Sequence, residues 1–258
     1  MGRHIALEGI DNFRDFGDYP GLGGRRLRGG RLFRSASHGR ATDGDLEVIA
    51  GLGITVIVDL RRRNERERDP PRRHAGFSGQ VIENQTGEEA DDTWRAHIAQ
   101  SDLSPASFRE YMFTYYRQAP FEPRHIDLFS RYFRAVAASD APVLIHCAAG
   151  KDRTGLLAAL THHLAGVHRD DMTADYLLTN DPQRMERRLP VVAKVIEEIA
   201  GRAPSDAAVR TAMGVEAAFL EASFAAIAER HGGLDAYLED ALGVDPGLRD
   251  QLRSRVLA

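Results

Sequence analysis

The sequence predicts an α/β fold with a small, mostly parallel central sheet flanked by helices and a helical C-terminal half. Three observations carry this expectation: two short β-branched runs of nearly continuous apolar residues, helical periodicity between them, and a second half with little but helical pattern. Strands separated by helices join in parallel, because the crossover returns the chain to the same edge direction.

In chain order, Gly21, Gly23 and Gly24, then Gly29 and Gly30, punctuate a loop-rich start, and residues 31–35 form a short strand candidate. Residues 42–52 read as a helix: Thr42 and Asp45 make a capping box, and Leu46, Ile49 and Leu52 share a face. The run Ile54-Thr-Val-Ile-Val-Asp-Leu60 suits a strand covered on both sides, and Pro142-Val-Leu-Ile-His-Cys147 repeats the pattern more briefly. Between them, residues 61–73 are rich in arginine and glutamate and broken by Pro70 and Pro71, and an irregular polar stretch continues to about residue 104. Helices are expected over 105–118 and 124–138, the second with Ile126, Phe129, Phe133 and Val136 at helical spacing. Further helices are expected over 152–165, 189–199, 215–229 and 234–242, with Gly232 and Gly233 as a stop signal.

At 258 residues and 28.5 kDa, the chain can bury a full core as one domain spanning 1–258. An irregular stretch as long as the one that ends near residue 104 is uncommon inside a compact domain, so the range 68–118 that includes it is expected to be a lid or binding insertion. Its 34 basic and 38 acidic side chains give a net charge of −4, which argues against nucleic-acid binding by bulk charge. No apolar run reaches the roughly 18–20 residues of a membrane-spanning helix. A cytoplasmic protein is expected, with export without a cleaved signal left open. The single cysteine, Cys147, rules out an intramolecular disulfide and an all-cysteine metal site. Of the 34 basic residues 32 are arginine, and one of the two lysines, Lys151, stands four residues after Cys147.

The informative segment is His146-Cys-Ala-Ala-Gly-Lys-Asp-Arg-Thr-Gly155, which follows a buried strand and opens a helix. Such a turn lets successive backbone N–H groups converge beside the positive end of the helix dipole, which suits a phosphate-like anion. A free thiol, with a pKa near 8.5, is only a few per cent ionised at neutral pH, so a nucleophilic cysteine needs positive potential. Here the helix N-terminus, Lys151 and Arg153 can supply it, and Thr154 can add a hydroxyl hydrogen bond to the sulfur. Arg153, six residues on, can set its planar fork against two oxygens of a phosphoryl group. Together these parts suit in-line attack by cysteine on phosphorus and hydrolysis of the resulting phosphocysteine by water, with no metal or cofactor required.

The string His-Cys-x-x-Gly-Lys-Asp-Arg-Thr-Gly resembles the bacterial atypical tyrosine and multi-specificity cysteine-dependent phosphatases. Other landmarks follow in that family's order: Asn12-Phe-Arg-Asp15, Gly30-Arg-Leu-Phe-Arg-Ser35, Leu52-Gly-Ile-Thr55, Asp59-Leu-Arg61 with Glu65, Asp175-Tyr-Leu177 and Gly233-Leu-Asp-Ala-Tyr-Leu238. The likeness is weakest from about 68 to 118, where some members carry a helical lid. It implies a parallel sheet flanked by helices, Cys147 as nucleophile, Arg153 as phosphate clamp, and the backbone of Ala148, Ala149, Gly150, Lys151 and Asp152 as anion cradle. It also implies phosphotyrosine proteins or peptides as substrates. A phosphoinositide-preferring lipid phosphatase and a non-catalytic phosphate-binding module are the alternatives.

Two residues compete as general acid. Asp152 lies inside the loop beside Arg153 and is favoured, although an Asp there also complements the helix dipole. Asp59 ends a buried strand, where strand ends meet the active face of an open sheet, but it could equally form a salt bridge to Arg61 or Arg153. His146 and Arg61 are expected to support the loop, and His162 and His163 to be packing or surface residues. The cluster Arg61, Arg62, Arg63, Arg66, Arg68, Arg72 and Arg73 is interleaved with Glu65, Glu67 and Asp69. It reads either as a self-paired surface or as a basic rim for polyanionic substrates such as phosphoinositides. In the second reading Lys151 reaches a phosphate beyond the scissile one.

Overall fold

The computed structural model describes residues 3–85 and 93–258. Five strands, β1 (Arg14–Asp15), β2 (Leu32–Ser35), β3 (Val56–Asp59), β4 (Gln80–Ile82) and β5 (Val143–His146), form one sheet in the order β1-β2-β5-β3-β4. Only the β1–β2 pair is antiparallel. Residue alternation sorts the strands between two cores. Phe33, Leu144 and Ile57 stand in register on one face and pack with Phe13 and with Leu46 and Ile49 of helix α1 (Asp43–Gly51). Leu32, Val143, Ile145, Val56 and Val58 face the other way, into the larger core.

The helices are α2 (Arg63–Arg68), α3 (Thr93–Gln100), α4 (Pro105–Gln118), α5 (Pro123–Ala138), α6 (Asp152–Leu164), α7 (Arg169–Leu177), α8 (Pro182–Ala200), α9 (Asp206–Met213), α10 (Ala217–His231), α11 (Leu234–Asp240) and α12 (Pro246–Val256). The larger core is built from α5 (Leu128, Phe129, Tyr132, Phe133) and the almost wholly buried α6 (Leu156, Leu157, Leu160) against the sheet. A third cluster stands apart, joining Ile98 of α3, Phe108 of α4, Ile196 of α8, and Val209, Ala212 and Met213 of α9.

The expected helices appear with shifted ends, and the Thr42–Asp45 capping box is formed. The helix expected over 189–199 starts earlier, at Pro182, and runs through Pro190. Pro190 is exposed, so the carbonyl it leaves without an N–H partner can bond to water. The range 68–118 divides. Its residues 80–82 are the edge strand β4, paired in parallel with β3, and α4 buries Met112 and Tyr116 in the larger core. These parts are framework rather than lid. Residues 86–92 of that range lie outside the described residues. Helices α2, α3, α7, α9 and α12 also occur where no helix was expected. Most are short and become helical by packing against longer neighbours.

Among the described residues no single helix is long and apolar enough to cross a membrane.

Candidate active site

Ser35, His146 and Asp59 end the three parallel strands β2, β5 and β3 at the same level. The segments that follow them, 36–38, 147–151 and 60–62, therefore meet at one edge of the sheet, where open α/β sheets place their sites. Cys147 begins the middle segment and Asp152 opens α6, so residues 147–151 form a tight loop at that helix's N-terminus.

The loop's backbone is fixed from outside. Gly150 has φ +66°, and a Cβ there would lie 2.4 Å from the Ser35 carbonyl carbon, so glycine alone fits. The Ala148 carbonyl accepts from the Ser37 N–H at 3.1 Å. The Gly150 carbonyl accepts from Asn12 Nδ2 at 2.8 Å and Arg34 Nη2 at 3.1 Å. Arg34 and Arg14 share Asp175, with contacts of 2.7 and 3.3 Å, in a network closed to solvent. Burial alone would raise the Asp175 pKa, but the two guanidiniums hold it well below the carboxylate range; burial and Arg34 together lower Arg14 to about 10.

Cys147 is 2% exposed and contributes to a cavity of about 430 Å³ together with Ala148, Ala149, Lys151, Asp152 and Arg153. Arg153 donates through Nη1 and Nη2 to the two oxygens of Glu65, at 2.5 and 2.7 Å, and through Nη1 to the Leu60 carbonyl at 3.1 Å. Burial works against both charges. The pair overrides it, raising Arg153 well above its ordinary value and lowering Glu65 to about 2. These bonds use three of the five guanidinium N–H groups and leave the adjacent Nε and Nη2 edge to grip a second oxyanion. Glu65 also caps α2, accepting from the Arg62 N–H at 2.7 Å.

The two candidate acids are placed differently. Asp152 faces the cavity, and its Oδ1 accepts from the Tyr116 hydroxyl at 2.8 Å, which itself lies 2.6 Å from the Tyr176 hydroxyl. Asp59 is fully buried and bidentate with Arg61, with contacts between 2.8 and 3.2 Å. Against the effect of burial, His146 and Arg61 hold its carboxyl well below the usual range. Asp59 is not among the residues lining the cavity and both its oxygens are taken by Arg61, which matches the salt bridge expected as its alternative role, whereas Asp152 lines the cavity. Arg61 extends the support, donating to Ser37 Oγ at 2.8 Å and to the Asp69 carbonyl at 2.7 Å. His146 is buried, stacks on His38 at 5.0 Å and places Nε2 3.7 Å from Asp59.

Two loop side chains depart from expectation. Thr154 is fully buried and its hydroxyl has no hydrogen-bond partner among the described residues, so the bond expected to the Cys147 sulfur is not formed. Lys151 is 6% exposed and donates to the Ala212 carbonyl at 2.6 Å and the Gly214 carbonyl at 3.2 Å, at the C-terminal end of α9. Its amine is thus engaged by these two carbonyls and lies 3.8 Å from Asp152 Oδ2. His162 is a packing residue, with Nε2 2.7 Å from the Phe16 carbonyl, and His163 is half-exposed, 3.2 Å from Asp235.

The arginine-rich segment is largely ion-paired, within itself through Arg63–Glu67 and Arg61–Asp69 but more often with acids outside it: Arg61 with Asp59, Arg62 with Glu122, Arg66 with Glu83 and Arg72 with Asp43. Arg62 and Arg68 nevertheless line the cavity, as do Arg40, Arg184 and Arg188 from other elements. The cavity is also lined by the aromatic Trp94, Tyr111 and Tyr115 and by aliphatic residues of α8 and α9, including Val192, Val195 and Met213. Sequence reasoning had no role for Glu65, Asn12, Arg34 or Tyr116. The first three stand in the family landmarks, which was the only signal available for them.

A family model described as the tyrosine phosphatase family matches residues 5–258. Among similar proteins is one from Cupriavidus necator, provisionally named a tyrosine-protein phosphatase, 35% identical over 100% of this chain and 90% of that protein. The triple specificity protein phosphatase PtpB of Mycobacterium tuberculosis is 33% identical over 97% of this chain and 98% of its own. A tyrosine-protein phosphatase of Nostoc commune is 30% identical over 86% of this chain and 73% of its own.

Proposed function

The chain belongs to the tyrosine phosphatase family and is a protein-tyrosine phosphatase, and from that premise we propose that it works through a phosphocysteine on Cys147. The observation that carries the mechanism is the unused Nε and Nη2 edge of Arg153, held by Glu65 in the cavity that Cys147 shares. A phosphoryl group seated there has two oxygens on the guanidinium and the remainder facing the loop amides and the α6 N-terminus. The Cys147 thiolate attacks phosphorus as the P–O bond to the phenol breaks in line, and Asp152 gives its proton to the departing oxygen. Water then attacks the phosphocysteine, Asp152 takes a proton from it, and inorganic phosphate and the thiolate are released. Tyr116 orients Asp152 by donating to Oδ1, while Oδ2, 3.8 Å from Lys151 Nζ, is the oxygen that carries the proton.

Replacing Cys147 with Ser tests this: turnover of an aryl phosphate disappears while phosphate or vanadate binding persists. Hydrolysis at the parent rate would overturn the covalent route. The presence of nucleophile, clamp and loop acid together favours an enzyme over a non-catalytic phosphate-binding module.

The excess of arginine over carboxylate around the cavity supports a second reading, in which phosphoserine or phosphothreonine peptides and phosphoinositides are also substrates. Side-by-side rates on phosphotyrosine peptide, phosphoserine peptide and a phosphoinositide test it, repeated with Lys151→Ala. Selective loss on the lipid would assign Lys151 to the extra phosphate; equal loss on all three would assign it to the loop and its contact with α9.

A further inference from the structure

Against the loop, outside the cavity lining, lies a polar cluster that the mechanism above does not use: Asn12, Arg14, Arg34 and Asp175, all buried. Two guanidiniums face one carboxylate, so the cluster carries an unbalanced positive charge in a place closed to water, where an unneutralised charge must find dipoles to solvate it. Arg14 finds the Asp175 carbonyl and Asn12 Oδ1, and Arg34 finds the Gly150 carbonyl, which accepts from Arg34 Nη2 at 3.1 Å and from Asn12 Nδ2 at 2.8 Å.

Asn12 is itself held for this purpose. Its φ of +59° is a conformation that asparagine tolerates better than most residues. Its Oδ1 accepts from Arg14 Nη1, which can only donate, so the amide orientation is fixed and Nδ2 must point at the loop. The same Nδ2 lies 3.5 Å from the Ala149 carbonyl and 3.4 Å from Thr179 Oγ1. Arg14 in turn reaches the Asp175 carbonyl at 2.9 Å.

A peptide unit is planar, with its C=O and N–H pointing in opposite directions. A carbonyl of Gly150 drawn backward therefore turns the Lys151 N–H forward, to the concave side of the loop. We infer that Asn12 and Arg34 are positioning residues that hold the Gly150–Lys151 peptide with its N–H facing the bound phosphoryl group. The inference rests on the anion-loop reading proposed above. Glycine at 150 makes it necessary: without a Cβ the peptide on either side can rotate, and an untethered unit can present its carbonyl to the anion and cancel a donor.

The test uses Asn12→Gly, which accepts positive φ and deletes the amide without adding charge, and Arg34→Lys, which keeps the charge but cannot reach Asp175 and Gly150 together. Three readouts are taken on the full chain: the inhibition constant of inorganic phosphate, the pH dependence of Cys147 alkylation by iodoacetamide, and the melting curve. In Asn12→Gly, phosphate inhibition weakens tenfold or more and alkylation moves to higher pH, while melting stays cooperative. Arg34→Lys moves the first two in the same direction by less. Phosphate inhibition and an alkylation profile within twofold of the parent, in whichever of the two variants melts cooperatively, would overturn the inference. Turnover surviving in Cys147→Ser would instead remove the phosphocysteine reading beneath it, so the two failures are told apart.

Discussion

At the scale of single residues, the chemistry depends on ion pairs whose partners are far apart in the chain. Glu65 and Arg153 are 88 positions apart and meet with both carboxylate oxygens engaged. Replacing Glu65 with Gln leaves one acceptor and turns an amide against a donor, so the Arg153 fork loses its fixed plane. We expect kcat/KM on an aryl phosphate to fall at least about tenfold, because clamp geometry and transition-state charge are set together. The same pair predicts an acid-dependent stability. The Glu65 pKa is depressed to about 2 from an ordinary 4.5, so its contribution is complete above about 4.5 and is lost as pH falls toward 2. Its size is of order 3 kcal/mol, since each tenfold change in proton affinity is worth about 1.36 kcal/mol. Urea unfolding at pH 7 and pH 3 should show the parent losing markedly more stability than Glu65→Gln; parallel losses would place the acid sensitivity elsewhere, in Asp59 or Asp175.

At the scale of elements, the loop between β5 and α6 is shaped by what it passes rather than by its own propensity. A Gly150→Ala side chain would have to occupy space 2.4–2.6 Å from the Ser35 carbonyl and the Ala36 nitrogen, at a positive φ besides. Backbone cannot yield there without moving β2. The expected outcome is loss of activity by about a hundredfold or more, since an ångström of displacement is enough for that, with phosphate binding lost in parallel. Helix α8 makes the opposite case. Pro190 sits in its exposed interior, where the sequence suggests a break, and α8 continues because Ile196 and its partly buried neighbours Leu189 and Val192 anchor it to α3 and α9. Restoring the N–H with Pro190→Ala should raise stability by roughly 1 kcal/mol, net of the looser unfolded chain, with turnover unchanged. A lower melting temperature would show that the proline pre-organises α8 more than it disrupts it.

At the scale of the whole molecule, the sheet and the larger core carry the loop, while the α3–α8–α9 cluster forms a wall of the cavity with an apolar core of its own. Lys151 joins the two bodies through the α9 carbonyls. Placing a charge in that small core with Val209→Asp, at a site with no exposure, should loosen the wall while leaving the sheet intact. Peroxide inactivation of Cys147 is then expected to accelerate severalfold; an unchanged rate would show that the wall does not shield the sulfur. The sequence by itself determined the strand cores at residues 56–59 and 143–146, the strand-to-helix loop at 147–151, the lone thiol and the arginine six positions on, because each is a local pattern read within a few residues; that Gly150 must be glycine was decided by the close approach of Ser35. Only the tertiary structure decided that Glu65 rather than any of 37 other acids holds Arg153, that Asp59 is spent on Arg61, that Lys151 points to α9, and that Asn12 and Arg34 brace the loop. The physical reason is that ion pairs and buried carbonyl contacts are chosen by which strand ends and helices come together. In a chain with 34 basic and 38 acidic side chains, spacing along the sequence does not single out one such pairing.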